Sequence, residues 1–281
     1  MPLASTSSQN ESPAGAAAGR GDLAATAADP ILRVEDVSIA FGGIRALEGV
    51  GFDVGRGTIF AIIGPNGAGK TTMLNAVSGV YPINRGRIEF DGVDRTNCKP
   101  QALAGIGIAR TFQNLALFSG MTVEENILVG RHAMMKAGVL ECAVHFGRSR
   151  AEEIRHRERV AGILEFLGLA HLRETQTTTL PYGLQKRVEL GRAMAVEPKL
   201  LLLDEPMAGM TQAEKGDLMR LVIELSRASG ITVILIEHDM GVVMNMSDRI
   251  VVLDHGQKIA EGTPTEIGRD EHVIRAYLGE D

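Results

Sequence analysis

The stretch Gly64-Pro65-Asn66-Gly67-Ala68-Gly69-Lys70-Thr71-Thr72 decides the fold of this chain of 281 residues. It has the form G-x-x-x-x-G-K-T, a phosphate-binding loop whose glycine-rich backbone turns its N–H groups towards the phosphates of a nucleotide. The spacing predicts that Lys70 reaches the β- and γ-phosphate oxygens and that the Thr71 hydroxyl holds Mg²⁺. We therefore expect all nine residues to line an ATP site. The alternative is a glycine-rich turn that matches by chance.

The flanking sequence argues against a chance match. Residues 58–63 form an apolar, β-branched run typical of a strand, and residues 70–77 read as a helix whose N-terminal end favours anions. The apolar run 200–203 predicts a central parallel strand covered on both faces. Ligands bind beyond the carboxyl ends of such strands, which is where Asp204 and Glu205 follow. We expect Asp204 to hold Mg²⁺ and Glu205 to act as general base towards the attacking water.

Residues 180–187 read Leu-Pro-Tyr-Gly-Leu-Gln-Lys-Arg and precede a helical run at 188–196. This segment resembles the L-S-G-G-Q signature of the ATP-binding cassette (ABC) ATPases, and the resemblance extends from about residue 31 to the C-terminus. It implies that Tyr182 and Gly183 contact nucleotide. It also implies that Gln113 is the Q-loop glutamine, with catalytic and metal-binding roles, and that His238 is the catalytic switch histidine. Phe41 matches the aromatic residue that stacks on adenine, although a core position is the alternative.

The sequence departs from the family pattern in two places. Pro181 replaces the signature serine and Tyr182 replaces the first signature glycine, so neither supplies a small hydroxyl donor to a γ-phosphate. Thr211 stands where the D-loop of the family usually carries Asp or Asn. Both departures concern the side of the cassette that serves a partner's nucleotide. They leave ATP binding at this chain's own phosphate loop unaffected.

The Tyr-Gly signature, the run at 236–240 and the ending at 274–280 resemble the ATPase subunits of branched-chain amino acid importers. This resemblance implies an ATP-hydrolysing, energy-coupling subunit with ATP and Mg²⁺ as cofactors. The implied partners are a second ABC ATPase subunit, which we expect to be a different chain, two membrane permease subunits and, indirectly, a secreted or periplasmic solute-binding protein. The alternatives are a soluble mechanical ATPase acting on nucleic acid or ribosomes, and a nucleotide-binding regulator without turnover.

The predicted fold class is α/β. We expect a P-loop NTPase core with a mostly parallel central sheet, a small antiparallel β subdomain and an inserted helical subdomain at about residues 115–185. Residues 1–29 are rich in Ala, Ser, Gly and Thr and predict a disordered tail, which leaves 30–281 as the ABC ATPase domain. Further predicted strands lie at 31–41, 50–54, 86–90, 232–236, 250–254 and 257–259. Further predicted helices begin at Thr122 and cover 211–226 and 241–246.

Composition restricts the partners and the compartment. A net charge of −6 and an isoelectric point near 5.7 argue against a nucleic-acid-binding surface. Cys98 and Cys142 lack the spacing of a metal site or a disulfide framework, which favours a reducing compartment. No apolar run reaches the length of a membrane span. We expect a cytoplasmic protein that lies on the inner face of the cell membrane through its permease partners.

Overall fold

The computed structural model describes residues 29–111, 117–131 and 148–278. The strands are β1 (Leu32–Phe41), β2 (Ile44–Val54), β3 (Ile59–Ile63), β4 (Arg85–Phe90), β5 (Val93–Asp94), β6 (Ile108–Arg110), β7 (Leu200–Asp204), β8 (Thr232–Ile236), β9 (Arg249–Asp254) and β10 (Gln257–Gly262). The α-helices are α1 (Lys70–Val77), α2 (Leu103–Ile106), α3 (Val123–Arg131), α4 (Arg148–Phe166), α5 (Tyr182–Met194), α6 (Gln212–Ser229), α7 (Met240–Met246), α8 (Pro264–Ile267) and α9 (Glu271–Leu278).

Two sheets organise the described residues. The larger has the order β10-β9-β3-β8-β7-β6, in which all neighbours are parallel except the edge pair β9 and β10. The smaller sheet has the order β2-β1-β4-β5 and is antiparallel throughout. The predicted α/β class, with a mostly parallel central sheet and a small antiparallel sheet, is therefore confirmed.

Strands β3 and β7 are interior strands of the large sheet, and every residue in both is buried. Successive side chains point to opposite faces of a strand. Accordingly, Leu200 and Leu202 join the apolar core shared with the small sheet, whereas Leu201 and Leu203 join the core under the helices. Phe52 of the small sheet stacks on Phe60 of β3 at 5.2 Å between ring centroids. The continuous apolar runs thus reflect burial on both faces.

The carboxyl ends of β3 and β7 lead into the segments that carry the motifs. The phosphate loop connects β3 to α1, and Glu205 follows β7 directly. Neighbouring strand β8 ends at Ile236, two residues before His238. Parallel order therefore brings these three segments to one edge of the sheet.

Helices α3, α4 and α5 pack together beside the large sheet through buried side chains such as Ile127, Leu164 and Leu167. Helix α3 begins with a capping box: Thr122 N–H donates to Glu125 at 2.8 Å, and Glu125 N–H donates to Thr122 Oγ1 at 3.2 Å. The helical-subdomain boundaries of about 115–185 stay a prediction. Of the predicted disordered tail, Asp29 alone falls within the described residues.

Two elements start six residues earlier than the sequence predicts. Strand β2 begins at Ile44 rather than at residue 50 because residues 44–49 pair with the end of β1 through irregular register. Helix α5 begins at Tyr182 rather than at residue 188. Pro181 is its N-cap with φ of −52°, a position at which proline's missing N–H removes no helical hydrogen bond.

Candidate nucleotide site

Two glycines of the phosphate loop sit where no side chain fits. Gly64 has φ of 147°, and a Cβ added there would lie 2.0 Å from the carbonyl oxygen of Leu253. Gly69 has φ of 98°, and a Cβ there would lie 2.7 Å from the carbonyl oxygen of Ala46. The loop is thus pressed against β9 and β2 on one side. On the other side Asn66 and Gly67 are exposed, so the loop backbone can meet a ligand.

Lys70 begins α1 and is buried, with 8% of its surface exposed. Its Nζ donates hydrogen bonds of 2.8 Å to the carbonyl oxygens of Gly64 and Pro65. Burial lowers the pKa of the Lys70 ammonium, and the nearby carboxylates of Glu205 and Asp204 oppose that shift. The fold therefore holds a cation inside the loop at the sheet edge. Next to it, Thr71 is exposed and Thr72 is half-buried.

Asp204 is the last residue of β7 and is buried, with 2% of its side chain exposed. Its Oδ2 accepts a 3.0 Å hydrogen bond from Arg110, while Oδ1 has no hydrogen-bond partner among the described residues. Burial raises the pKa of Asp204, and the Arg110 guanidinium opposes that shift. Burying a carboxylate oxygen without a hydrogen-bond partner costs free energy unless a cation or a water molecule binds to it.

The neighbouring Glu205 has a left-handed backbone with φ of 47°, an uncommon conformation for a non-glycine residue. Its N–H donates to the carbonyl oxygen of Ile236 at 2.9 Å, which ties β7 to the end of β8. His238, 61% exposed at its side chain, places Nδ1 3.9 Å from Glu205 Oε2. The structure therefore brings together the predicted base and the predicted switch histidine.

Phe41 ends β1 and is 44% exposed, which contradicts the core alternative. Its ring meets Tyr81 edge-on at 5.0 Å between centroids. The exposed face is available to a flat ligand such as an adenine base, and stacking on adenine stays a prediction. Gln113 lies outside the described residues, so its predicted catalytic and metal-binding roles stay predictions as well.

The signature segment lies at the start of α5. Gly183 is buried and Tyr182 is 42% exposed. The Lys186 ammonium lies 5.8 Å from the centroid of the Tyr182 ring, within range of a cation–π interaction. Gln185 donates from its side chain to the carbonyl oxygen of Leu180 at 2.8 Å, so it closes the turn that enters the helix.

Sequence reasoning missed two residues that support this site. Arg110 donates to Asn75, Ser78 and Asp204 at 2.7, 2.7 and 3.0 Å, and so joins α1 to the end of β7. Glu237 is 1% exposed and accepts a 3.0 Å hydrogen bond from the Met207 N–H. Burial raises the pKa of Glu237, opposed by that hydrogen bond. The only signal in the sequence was a charged residue at the end of each apolar strand.

Among the described ranges, no group of three or more His, Cys, Asp and Glu side chains could hold a metal ion. A Mg²⁺ ion bound with a nucleotide does not need such a group, because phosphate oxygens and water supply most of its ligands. The free Oδ1 of Asp204 and the exposed Thr71 fit that pattern. The described helices include none that is long and apolar enough to cross a bilayer.

Comparison with known proteins agrees with this geometry. The family described as "ABC transporter" matches residues 47–208, and the family described as "Branched-chain amino acid ATP-binding cassette transporter" matches residues 257–281. The chain is 41% identical over 251 residues to the high-affinity branched-chain amino acid transport ATP-binding protein BraF of Pseudomonas aeruginosa. That match covers 89% of this chain and 98% of the relative. LivG of Salmonella typhimurium, which carries the same description, is 40% identical with the same coverage.

A solved structure extends the similarity to three dimensions. The ADP conformation of an ATP-binding cassette of an ABC transporter superimposes with a TM-score of 0.78 at 36% identity. The match covers 89% of this chain and 99% of that structure.

Proposed function

Because the chain belongs to the ABC transporter ATPases, we propose that it is the energy-coupling subunit of an importer for branched-chain amino acids or related small solutes. As a member of this family it is an ATPase. The solute class rests on the names of the relatives, BraF and LivG, and on the match of residues 257–281 to the branched-chain amino acid family.

One observation carries the catalytic part of the proposal. Lys70, Asp204 and Glu205 converge at one edge of the sheet, because they lie at the carboxyl ends of the parallel strands β3 and β7. The Lys70 ammonium stabilises negative charge on the β- and γ-phosphate oxygens. Glu205 accepts a proton from the attacking water, and His238 stands 3.9 Å from it to orient the γ-phosphate end of the site.

Mg²⁺ is the metal that this site fits. Asp204 Oδ1 and the Thr71 hydroxyl would hold it, the carboxylate directly or through a water molecule. When bound, the ion neutralises charge on the transferring phosphoryl group. Arg110 fixes the other carboxylate oxygen, so Asp204 keeps one orientation without the ion.

The proposed unit contains two cassettes that close face to face, with ATP between the phosphate loop of one and the signature of the other. Two permease subunits would hold this cassette at the inner face of the cell membrane, and a solute-binding protein outside the cytoplasm would deliver the solute. We assign a different chain to the second cassette because Pro181 and Tyr182 leave this signature without a serine.

A groove beside Arg110 is the surface that we assign to the permease subunits. It measures about 500 Å³ and lies between strand β6 of the large sheet and helices α2, α3 and α5. Val80 and Phe118, 46% and 49% exposed, present apolar surface there, and Arg192 adds a cation 6.0 Å from the Phe118 ring. A single exposed apolar residue is ordinary, but a cluster in a groove marks an interface. Strand β6 ends in this groove, three residues before the predicted Q-loop glutamine.

The proposal is tested by purifying the full chain together with the membrane proteins encoded beside it. We expect ATP turnover to rise when the neighbouring solute-binding protein is added with the amino acid that it retains. Phe118→Asp should remove co-purification and leave nucleotide binding intact, whereas the control Val93→Asp, at an exposed site on β5, should change neither. An assembly whose turnover ignores the loaded binding protein would contradict the importer assignment.

A further inference from the structure

Helices α5 and α6 start side by side, and one carboxylate joins their first turns. Glu214 Oε2 accepts hydrogen bonds from Thr211 N–H at 2.9 Å and from Thr211 Oγ1 at 2.8 Å, which forms the capping box of α6. The other oxygen faces the signature: a Cβ added at Gly183 would lie 2.5 Å from Glu214 Oε1. Hydrogen bonds from the Thr211 backbone and the Thr211 hydroxyl lower the pKa of the Glu214 carboxyl.

Further contacts join the same two segments. Arg187, one turn into α5, donates to Asp217 of α6 at 2.9 Å. The Tyr182 ring covers Gly209, where an added Cβ would meet the ring at 3.5 Å. The start of the signature helix therefore rests on the loop 206–211 and on the first turn of α6.

The loop 206–211 begins directly after the general base. Its Met207 N–H is held by the buried Glu237, next to His238, and its last residue is Thr211. Hydrogen bonds thus hold both ends of this loop, from Met207 N–H to Glu237 at one end and from Thr211 N–H to Glu214 at the other. Glu214 in turn packs against Gly183, whose segment serves a partner's nucleotide in the proposed assembly.

We propose that Glu214 is a positioning residue of ATP hydrolysis, which fixes the start of the signature helix to the loop behind Glu205 so that the two move as one unit. This inference rests on the proposed function. It explains how a chain without a signature serine keeps the start of α5 in position, because the Glu214 carboxylate contacts Gly183 whatever residue stands at position 181. It also gives Thr211 a role that Asp or Asn would fill as well, since all three cap helices.

A second capping box in the chain provides a matched control. Thr263 and Glu266 make the same contacts at the start of α8, with Glu266 accepting from Thr263 N–H at 2.7 Å and from Thr263 Oγ1 at 3.0 Å. The hydrogen bonds described for this carboxylate stay within its own helix turn. Removing Glu266 therefore costs a cap without touching the signature.

The test compares Glu214→Ala, Glu214→Gln and Glu266→Ala in the transporter purified with the full chain. For Glu214→Ala we expect kcat to fall about tenfold, the loss of one hydrogen bond to a charged group. Binding of a fluorescent ATP analogue to the full chain alone should keep its Kd within about twofold, because Glu214 lies away from the chain's own phosphate loop. Glu214→Gln should recover kcat to within about threefold of the parent, since its amide oxygen can accept from Thr211 N–H and Oγ1 while a side chain of the same size stays beside Gly183.

Glu266→Ala should lower the melting temperature about as much as Glu214→Ala and leave kcat unchanged. Equal kcat values for Glu214→Ala and Glu266→Ala, or a glutamine variant as impaired as the alanine variant, would overturn the positioning role. A Kd that rises in step with the loss of kcat would also overturn it. Lys70→Ala, measured in parallel, separates the two proposals. If Lys70→Ala loses turnover while Glu214→Ala stays as active as the parent, the role of Glu214 is refuted and the proposed function stands.

Discussion

Lys70 shows how a single residue acquires its function from burial. Its ammonium is held by two carbonyl oxygens of its own loop and lies near two carboxylates at the sheet edge. The carbonyls fix its position, and a nucleotide phosphate offers it a stronger, ionised acceptor. The residue is thus a preorganised cation rather than a flexible surface charge.

Lys70→Ala should reduce both nucleotide affinity and turnover. A hydrogen bond to a charged group contributes about 1.5–3 kcal/mol, which corresponds to roughly ten- to a hundredfold. The measurement is ATP binding and hydrolysis of the full chain, with Lys258→Ala as control because Lys258 pairs with Glu261 on the surface hairpin. Hydrolysis by Lys70→Ala at the parent rate would show that the phosphate-loop assignment is wrong.

Glu205→Gln should bind ATP normally and lose most hydrolysis. The amide keeps the shape of the side chain but cannot accept a proton, and removal of a general base costs about 10²–10⁴-fold. Single-turnover hydrolysis in the assembled complex measures this step. A loss smaller than about tenfold would move the base to another residue, with His238, 3.9 Å away, as the next candidate.

At the scale of elements, Asp91 connects the small sheet to the large one. It lies in the turn between β4 and β5, where Asp91 and Gly92 have φ of 53° and 74°, as a two-residue hairpin turn requires. Its carboxylate accepts hydrogen bonds from Arg56 at 2.7 Å and Lys199 at 2.5 Å, residues that precede β3 and β7. Hydrogen bonds from Lys199 and then Arg56 lower the pKa of Asp91.

Asp91→Asn should therefore destabilise the fold in a pH-dependent way. A carboxyl with a lowered pKa in the folded state stabilises above its unfolded pKa of about 3.9 and loses that contribution as the pH falls through the lowered value. We expect a loss of up to about 1 kcal/mol at pH 7, since the partners are exposed. Denaturant unfolding at pH 7 and near pH 3 measures it. A difference that persists unchanged at low pH would contradict the electrostatic origin.

The sequence predicted the elements where a local rule is strong. The helix at 70–77 and the strand at 232–236 have the predicted bounds, because a motif or an apolar run marks them directly. The start of helix α5 was predicted six residues too late, since Pro181 and Gly183 read locally as a loop although both suit a helix start. Contacts such as Arg110 to Asp204, 94 residues apart in sequence, have no local signal and required the structure.

At the scale of the whole molecule, the signature side differs from the phosphate-loop side. The N-cap residue of α5 is Pro181, and because proline has no hydroxyl, this position offers no side-chain donor to a partner's γ-phosphate. The site built on the partner's phosphate loop would face this weaker signature. The site built on this chain's phosphate loop would use the partner's signature. The proposed pairing of two different cassettes thus predicts two unequal ATP sites.

Glu205→Gln in this chain and the matching substitution in the partner cassette should therefore depress turnover unequally. The loss of one hydrogen bond to a charged group predicts hydrolysis rates that differ roughly ten- to a hundredfold between the two sites. Hydrogen bonds from the backbone amides near Gly183 would reduce this difference. Steady-state hydrolysis of the two single variants measures the difference. Equal losses of turnover would show that the two ATP sites are equivalent. A transporter purified with two copies of this chain and no second cassette would refute the pairing of two different cassettes.

The most direct test of the central claim, that ATP hydrolysis by this chain powers solute import, is uptake of the retained solute into proteoliposomes. The parent assembly should accumulate solute only when ATP is supplied on the side of the membrane that carries this cassette and the loaded binding protein is supplied on the opposite side. With Glu205→Gln, ATP should still bind while hydrolysis and uptake fall together by about 10²-fold or more. Uptake that continues at the parent rate while hydrolysis is lost would contradict the account.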